Sequence, residues 1–293
     1  MRGFVPALGT PLDENGNLVV ESFKKQIEDQ IQAGAAGLLA MGSMGTEAFL
    51  TPETYIATAT AAVEAAAGRV PVFVGAMDTS IVRAAQRMAS VEHLAIDGFV
   101  FTAPFYSRAS NAQMLNFFKG VAGKTNHKVL LYDLPSVTQT KITYEMVLEL
   151  IRDVPNMAGI KSADTVMFRK LKLNPEVPED FITVYSGLDM FDVAYKWGID
   201  ACLDGMLSCT PYNTKMLFES MDNGDYVAAA KYLDNITNLR DFFAAHDLWP
   251  CFSAAMNMLG YDGIFGTDYC NKINPDYLPL VREWMVKIGE PVL

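Results

Sequence analysis

One lysine of this sequence ends an apolar segment of strand length. Lys161 follows Ala158–Ile160, and an ammonium group is costly to remove from water unless it is paired or loses its proton. A desolvated lysine held as the neutral amine can attack a ketone and form a Schiff base. The alternatives are a strand-end lysine whose ammonium group reaches solvent, or one that pairs with Asp164. Lys161 is therefore either a structural residue or the nucleophile of an imine-forming enzyme.

A tyrosine ends a second apolar segment. Tyr132 follows Val129–Leu131, and a tyrosine at the end of a strand often serves packing alone. Next to a Schiff-base lysine, however, a phenol can pass protons to and from the carbinolamine and the substrate hydroxyl. Because the sequence also contains Lys161, we favour the catalytic interpretation of Tyr132.

A glycine-rich turn, Gly42–Glu47, follows a third apolar segment. Glycines allow a tight turn whose backbone N–H groups face an anion, and the hydroxyl of Ser43 is a further donor. Such a turn suits the carboxylate of a small acid, although the same composition is also typical of purely structural turns.

The segments that end on these residues belong to a regular pattern, in which apolar runs of strand length alternate with segments of helical period. The predicted strands are Phe4–Leu8, Gly37–Met41, Val70–Gly75, Gly98–Thr102, Val129–Asp133, Ala158–Lys161, Thr183–Ser186 and Ala201–Leu203. They recur roughly every 30 residues, the length of one βα unit, and most are apolar throughout, as expected for parallel strands covered on both faces. The pattern predicts the α/β class and a (β/α)8 TIM barrel, whose active site lies at the C-terminal ends of the strands. The polar or turn residues predicted at those ends are Thr10, Ser43, Tyr106, Tyr132, Asp133, Lys161, Gly187, Asp189 and Asp204.

The last part of the chain has helical period without a further strand. We predict helices over Asp225–Ala245, Leu248–Leu259 and Asp276–Lys287, in addition to Val20–Gln32 and Tyr55–Ala67 nearer the start. The predicted domains are a barrel over residues 1–222 that carries the active site and a C-terminal three-helix appendage over residues 223–293.

Composition limits the class of partner. Of 293 residues 51% are hydrophobic and 19% charged, which describes a globular chain, and the net charge of −11 disfavours nucleic acid and anionic membrane surfaces. The expected partner is a small molecule. The sequence has no apolar run of membrane-spanning length and no signal-peptide core at Met1–Ala7, so we expect a cytoplasmic protein. The three histidines and four cysteines have no metal-ligand spacing, and no metal site is predicted.

Five short motifs in register resemble the N-acetylneuraminate lyase and dihydrodipicolinate synthase family. They are Gly3-x-x-Pro6-Ala7-x-x-Thr10-Pro11, Gly42-Ser43-x-Gly45, Pro104-Phe105-Tyr106, Tyr132-Asp133-Leu134-Pro135 and Gly159-Ile160-Lys161. The resemblance implies a class I, Schiff-base aldolase on a (β/α)8 barrel with a C-terminal helical appendage. It also implies that neither an organic cofactor nor a metal is needed, and that the usual assembly is a homotetramer.

The resemblance also assigns roles to residues of this chain. Lys161 would form the imine with pyruvate or another 2-oxo acid, and Tyr132 would be the general acid/base. Ser43 and the backbone around Met44 would hold the carboxylate, and Ser43 would also relay protons to Tyr132. Tyr106 matches a tyrosine that, in many members, reaches across a dimer interface toward the proton relay of the neighbouring subunit. The other residues of the predicted substrate site are Gly45, Thr10, Val137, Gly187, Asp189 and Asp204.

Several positions depart from the family pattern. Met44 and Thr46 replace a hydroxyl residue and a glutamate of the turn, and Asp133 replaces an asparagine and places a possible charge near the site. Val137 occupies the position of an arginine that binds a second carboxylate in the synthase branch. Without this arginine, the second carboxylate has no bidentate partner. The sequence therefore favours reversible cleavage of a 2-oxo-3-deoxy sugar acid, such as sialic acid or a shorter relative, to pyruvate and an aldehyde. The alternatives are another imine reaction of the family, such as a dehydration or a synthase-like condensation, and a silent member that only binds a ligand.

Overall fold

The computed structural model describes residues 1–293 and contains the eight predicted strands, all parallel. Each lies within a few residues of its predicted position, and the (β/α)8 prediction is confirmed. The strands are β1 Gly3–Pro6, β2 Leu38–Ala40, β3 Val72–Gly75, β4 Gly98–Thr102, β5 Lys128–Tyr132, β6 Met157–Ser162, β7 Ile182–Tyr185 and β8 Ala201–Asp204.

The strands follow one another around a barrel in sequence order. Each strand pairs with the next from β2 to β8, and β8 pairs with β1 through the register Gly3↔Ala201. The last seam, between β1 and β2, is bridged by Ala7↔Leu39 and by a 2.9 Å hydrogen bond from Leu8 N to the carbonyl of Leu39. No long sheet edge is left unpaired, and all strand C-termini meet at one mouth.

Helices cover the outside of the barrel and continue beyond it. They are α1 Val20–Gln32, α2 Pro52–Ala66, α3 Ile81–Val91, α4 Asn111–Ala122, α5 Pro135–Thr138, α6 Tyr144–Asp153, α7 Thr165–Leu173, α8 Phe191–Lys196, α9 Met206–Cys209, α10 Pro211–Asp222, α11 Tyr226–Ala245, α12 Leu248–Met258 and α13 Tyr277–Lys287. A short 3₁₀ helix spans Glu47–Phe49. Helix α2 begins three residues before its predicted bounds, because the hydroxyl of Thr51 accepts a 3.2 Å hydrogen bond from Thr54 N and Pro52 occupies the first turn.

The strands separate two apolar cores. Side chains such as Val5, Phe73, Leu130 and Leu203 fill the barrel interior, whereas a larger core lies between the strands and the helices. Because successive side chains of a strand point to opposite faces, each strand needs apolar residues on both, which explains the continuous apolar runs.

The three C-terminal helices α11, α12 and α13 form the predicted appendage. Antiparallel bridging between Leu12 and Ile264, with a 3.0 Å hydrogen bond from Leu12 N to the Ile264 carbonyl, fastens it to the barrel. The domain boundary between residues 222 and 223 stays a prediction. None of the helices is both long and apolar enough to cross a membrane.

Candidate active site

Lys161 lies near the C-terminal end of β6, and its side chain is buried inside the mouth of the barrel. Only 5% of the residue is exposed. Below it lies a cavity of about 10 Å³, whose other lining residues are Met1, Val5, Phe73, Val100, Leu130, Val184 and Leu203. The side chain therefore stands on a closely packed apolar floor.

Tyr132 is the neighbour of Lys161 on the adjacent strand. The two residues are register partners of β5 and β6, and both point into the barrel. Lys161 Nζ lies 3.9 Å from the centroid of the Tyr132 ring, within the range of a cation–π contact. The structure thus brings the amine and the phenol together, as the sequence predicts.

The two structural interpretations of Lys161 do not describe the molecule. Its burial shows that the amine does not extend to solvent. Asp164, its predicted partner, lies 3.3 Å from the ammonium nitrogen of Lys141 instead. Asp164 also accepts a 2.8 Å hydrogen bond from Met167 N and so caps α7.

The turn Gly42–Glu47 leads from the end of β2 into the short 3₁₀ helix. The hydroxyl of Thr10 donates a 2.7 Å hydrogen bond to the carbonyl of Gly45, so this predicted substrate residue fastens the turn. A Cβ at Gly45 would lie 2.8 Å from Met41 Cα and 3.0 Å from the carbonyl oxygen of Leu8. Glycine is therefore required by the close approach of three backbone segments.

Two side chains of this turn point in different directions. Ser43 is exposed to solvent. Met44 is partly buried and packs against the apolar side chains of both cores. It also lies against Gly205, where an added Cβ would be 2.0 Å from Met44 Cγ. The thioether therefore fills the space at the end of β8, and Gly205 provides the room for it.

Three predicted substrate residues come from the ends of β7 and β8. Gly187 and Asp189 lie in the loop after β7, and Asp204 ends β8. Burial raises the pKa of Asp204, although the N–H of Met206 and the charge of Lys161 oppose this rise. Asp204 is therefore an acid whose charge is disfavoured by its surroundings at the end of β8.

Asp189 is held by a residue that the sequence did not reveal. Arg240 of α11 donates two hydrogen bonds to the carboxylate of Asp189, at 3.0 and 2.7 Å, and also contacts Asp241. The hydrogen bonds from Arg240 lower the pKa of Asp189. Arg240 lies 51 residues further along the chain, and no local motif marks it. Asp189, a predicted substrate residue, is therefore paired with a residue of the C-terminal helices.

Val137 lies in the short helix α5, which follows β5, and Tyr106 lies in the loop after β4. Val137 is 56% exposed at the end of α5, and no guanidinium group occupies this position. Tyr106 is 99% exposed and has φ of +77°. Within one chain, Tyr106 does not contribute to the enclosed part of the site.

The carboxyl group of Asp133 lies outside the barrel and does not enter the substrate space. Its side chain accepts hydrogen bonds from Ser162 Oγ at 2.7 Å and from Ile142 N at 3.0 Å, and it forms an ion pair with Lys141. The sequence suggested an acidic charge near the site, and the structure shows that Lys141 opposes this charge. Lys141 and Ser162 were not singled out from the sequence, because their proximity depends on how the loop returns.

A second buried carboxyl group, that of Glu47, lies beyond β2. Arg87 Nη1 is 3.1 Å from Glu47 Oε1, yet neither carboxyl oxygen accepts a hydrogen bond. Burial raises the pKa of Glu47 to about 8, and the nearby charges of Arg87 and Asp78 respectively lower and raise it. The attraction from Arg87 is divided, because its Nε lies 3.0 Å from Asp78. No cluster of three or more His, Cys, Asp or Glu side chains is arranged to hold a metal ion.

The comparison with known families agrees with this geometry. Residues 1–266 match the model of the dihydrodipicolinate synthetase family. The chain belongs to this family. Enzymes of the dihydrodipicolinate synthetase family form a Schiff base between a lysine and pyruvate and need no cofactor.

Individual members of the dihydrodipicolinate synthetase family are similar over most of the chain. A 4-hydroxy-tetrahydrodipicolinate synthase from Laribacter hongkongensis is 28% identical over 83% of this chain and 84% of its own. The synthase of the same name from Porphyromonas gingivalis is 30% identical over 67% of this chain and 65% of its own. Among solved structures, dihydrodipicolinate synthase from Aquifex aeolicus superposes with a TM-score of 0.87 over 100% of this chain and 99% of its own, at 22% identity.

Proposed function

We propose that this protein is a Schiff-base aldolase in which Lys161 forms an imine with pyruvate or another 2-oxo acid. The observation that carries the proposal is the buried amine of Lys161 at the barrel mouth, 3.9 Å from the ring centroid of Tyr132. A desolvated amine is the nucleophile that imine formation requires, and the neighbouring phenol is a suitable general acid/base.

The proposed cleavage begins with attack of the Lys161 amine on the C2 ketone. Proton transfer gives a carbinolamine, and Tyr132 protonates its hydroxyl, which leaves as water and yields the iminium ion. The phenolate then takes the proton of the C4 hydroxyl, the C3–C4 bond breaks, and its electron pair forms the enamine while the aldehyde leaves. Tyr132 returns a proton to C3, and addition of water to the iminium releases pyruvate and the amine.

The Gly42–Glu47 turn is the proposed site of the substrate carboxylate. Ser43 offers an exposed hydroxyl, and the backbone N–H groups around Met44 and Gly45 are further candidate donors. Thr10 contributes indirectly, because its hydrogen bond to the Gly45 carbonyl holds the turn. Met44 brings a thioether in place of a second hydroxyl and favours a 2-oxo acid with some apolar surface beside the carboxylate.

The proposed substrate is a 2-oxo-3-deoxy sugar acid whose aldehyde half carries no charge. An exposed Val137 provides no cation for a second carboxylate. The charged groups at the ends of β7 and β8 are Asp189, which is paired with Arg240, and Asp204. Asp204 and the backbone near Gly187 are candidate acceptors for sugar hydroxyls. The second candidate is a synthase-like condensation, which the names of the 4-hydroxy-tetrahydrodipicolinate synthase relatives favour.

We also propose that the chain assembles as a homotetramer in which a partner subunit covers Tyr106. The support is a tyrosine side chain that is 99% exposed next to the barrel mouth. Assembly varies among proteins with this fold, since one solved structure is of a monomeric dihydrodipicolinate synthase variant. Analytical ultracentrifugation measures the subunit number directly.

Reductive trapping tests the imine. The protein is treated with borohydride in the presence of pyruvate, 2-oxobutyrate or a 2-oxo-3-deoxy sugar acid, and the mass of the Lys161 peptide is measured. We expect a reduced adduct on Lys161 and none in Lys161→Ala, whereas Lys128→Ala, which changes an exposed lysine at the start of β5, keeps the adduct. An unmodified Lys161 peptide with every 2-oxo acid contradicts the proposal. If the adduct forms, product analysis separates cleavage from condensation.

A further inference from the structure

A network of side chains lies on the outer face of the barrel, directly behind the two reactive residues. Asp133 follows Tyr132, and Ser162 follows Lys161 in the sequence. Because successive side chains of a strand point to opposite faces, Asp133 and Ser162 face away from the barrel interior. Neither is part of the reaction proposed above.

Hydrogen bonds in this network extend the pairing of β5 and β6. The pair Tyr132↔Lys161 is the last register pair of these strands. Beyond it, Asp133 N donates to the carbonyl of Lys161 at 2.9 Å, and Ser162 Oγ donates to the Asp133 carboxylate at 2.7 Å. Hydrogen bonding between β5 and β6 therefore continues one residue beyond the last register pair. It stabilises the strand ends that carry the reactive side chains, where strands otherwise fray.

One lysine connects this pair of strand ends to two other elements. The Asp133 side chain is 3% exposed, and it pairs with Lys141 and accepts from Ile142 N at 3.0 Å. Lys141 Nζ also lies 3.3 Å from Asp164, which caps α7. A carboxylate so buried requires donors of this kind, and a cation is the most effective of them.

We propose that Lys141 and Ser162 are positioning residues for the imine chemistry. They hold the carboxylate of Asp133, and this carboxylate fixes the ends of β5 and β6 at the separation that sets Tyr132 against Lys161. The inference rests on the proposed function, because it assigns these residues an effect on the rate of a reaction at Lys161.

The expected signature is a loss of rate without a loss of binding. A displacement of about 1 Å in a reacting pair can cost on the order of 100-fold in rate. We expect Lys141→Met to lower the maximal rate of imine formation with pyruvate about 10- to 100-fold, and to change the half-saturating pyruvate concentration by less than about 2-fold. The rate is measured by borohydride quenching at timed intervals and mass analysis of the adduct.

A double variant tests whether the charge of Asp133 is the link. Lys141→Met leaves a buried acid without its cation, whereas Asp133→Asn together with Lys141→Met removes both charges. We expect the double variant to recover to within about 5-fold of the unmodified protein, since paired side chains couple in such cycles. Lys141→Arg keeps the cation and is also expected to retain most of the rate.

The chain offers a matched control. Lys119 also bridges two carboxylates, with Nζ 2.8 Å from Glu149 and 2.8 Å from Asp153, but on helices α4 and α6 outside the barrel. Lys119→Met should leave the imine rate unchanged. Ser162→Ala removes one hydrogen bond and retains the Asp133 ion pair, so it tests the network if Lys141→Met does not fold; a loss of about 3- to 10-fold is expected.

The outcomes separate the two proposals. If the unmodified protein forms no adduct with any 2-oxo acid, the proposed function is wrong and this inference falls with it. If that adduct forms, and the folded Lys141→Met or Ser162→Ala variant reacts as fast as Lys119→Met, only the positioning role is wrong. A double variant as slow as Lys141→Met likewise contradicts the link through Asp133.

Discussion

Two buried carboxyl groups that follow strands of the same barrel have opposite surroundings. The Asp133 side chain, beyond β5, is 3% exposed and has three donors in Ser162, Lys141 and the N–H of Ile142. The Glu47 side chain, beyond β2, is fully buried and accepts no hydrogen bond. The two groups thus differ in the donors that the fold supplies, and hardly at all in burial.

The difference decides what each acid can do. Three donors hold the Asp133 carboxylate in one position. It lies on the outer face of the barrel, at the strand ends that must hold Tyr132 and Lys161 in place. Burial raises the pKa of Glu47 to about 8, so at neutral pH its carboxyl group is mainly protonated. A neutral Glu47 does not repel an anion from the turn that we propose to bind the substrate carboxylate.

The largest effect is expected at Glu47. Its pKa rises from 4.5 to about 8 on folding, so the folded state keeps a proton that the unfolded chain loses, and stability falls as the pH rises between these values. Glu47→Gln removes this dependence. A shift of one pKa unit corresponds to about 1.4 kcal/mol. The free energy of unfolding of the variant should therefore exceed that of the unmodified protein by about 5 kcal/mol at most at pH 9, and by almost nothing at pH 4.5.

The measurement is urea unfolding across this pH range. Glu53→Gln, at an exposed position of α2, is the control. Its plot of unfolding free energy against pH should run parallel to that of the unmodified protein. Parallel curves for Glu47→Gln as well would show that burial does not govern the Glu47 carboxyl group.

An intermediate effect is expected at the other acid. Lys141→Met leaves Asp133 with neutral donors only, and loss of a partner from a buried charged group is destabilising. Because the Lys141 side chain is 41% exposed, solvent moderates the loss, and we expect the free energy of unfolding to decrease by about 2 kcal/mol. Chemical denaturation at pH 7 measures it, with Asp133→Asn/Lys141→Met as the comparison. A larger loss in the double variant would refute the charge argument.

The smallest effect is expected for Ser162→Ala. This change removes one neutral donor from Asp133 and leaves Lys141 and the N–H of Ile142 in place. A hydrogen bond of this kind contributes about 1 kcal/mol, or somewhat more when the acceptor is charged. Thermal unfolding should show a correspondingly small decrease. No decrease at all would mean that the remaining donors satisfy Asp133, and the contrast with Glu47 would then depend on Lys141 alone.

Much of the fold could be predicted from the sequence because it depends on local patterns. The continuous apolar runs predicted all eight strands, and α1 has its predicted bounds, Val20–Gln32. Lys161 and Tyr132 could be selected because each ends such a run, and a barrel places strand ends at one mouth. Residues whose partners are distant could not be selected: nothing near Asp189 in sequence indicates Arg240, and nothing near Asp133 distinguishes Lys141 from any other loop lysine.

By itself the sequence determined the barrel, its C-terminal helices and the lysine–tyrosine pair, because strand periodicity and strand ends are local properties. Only the tertiary structure decided which acids carry partners. Asp133 acquires Lys141 through a returning loop, and Asp189 acquires Arg240 from the appendage. Glu47 has only the guanidinium of Arg87 nearby, which it shares with Asp78, and accepts no hydrogen bond. The state of a carboxyl group depends on burial and on donors brought by other segments, and neither can be read from the residue itself.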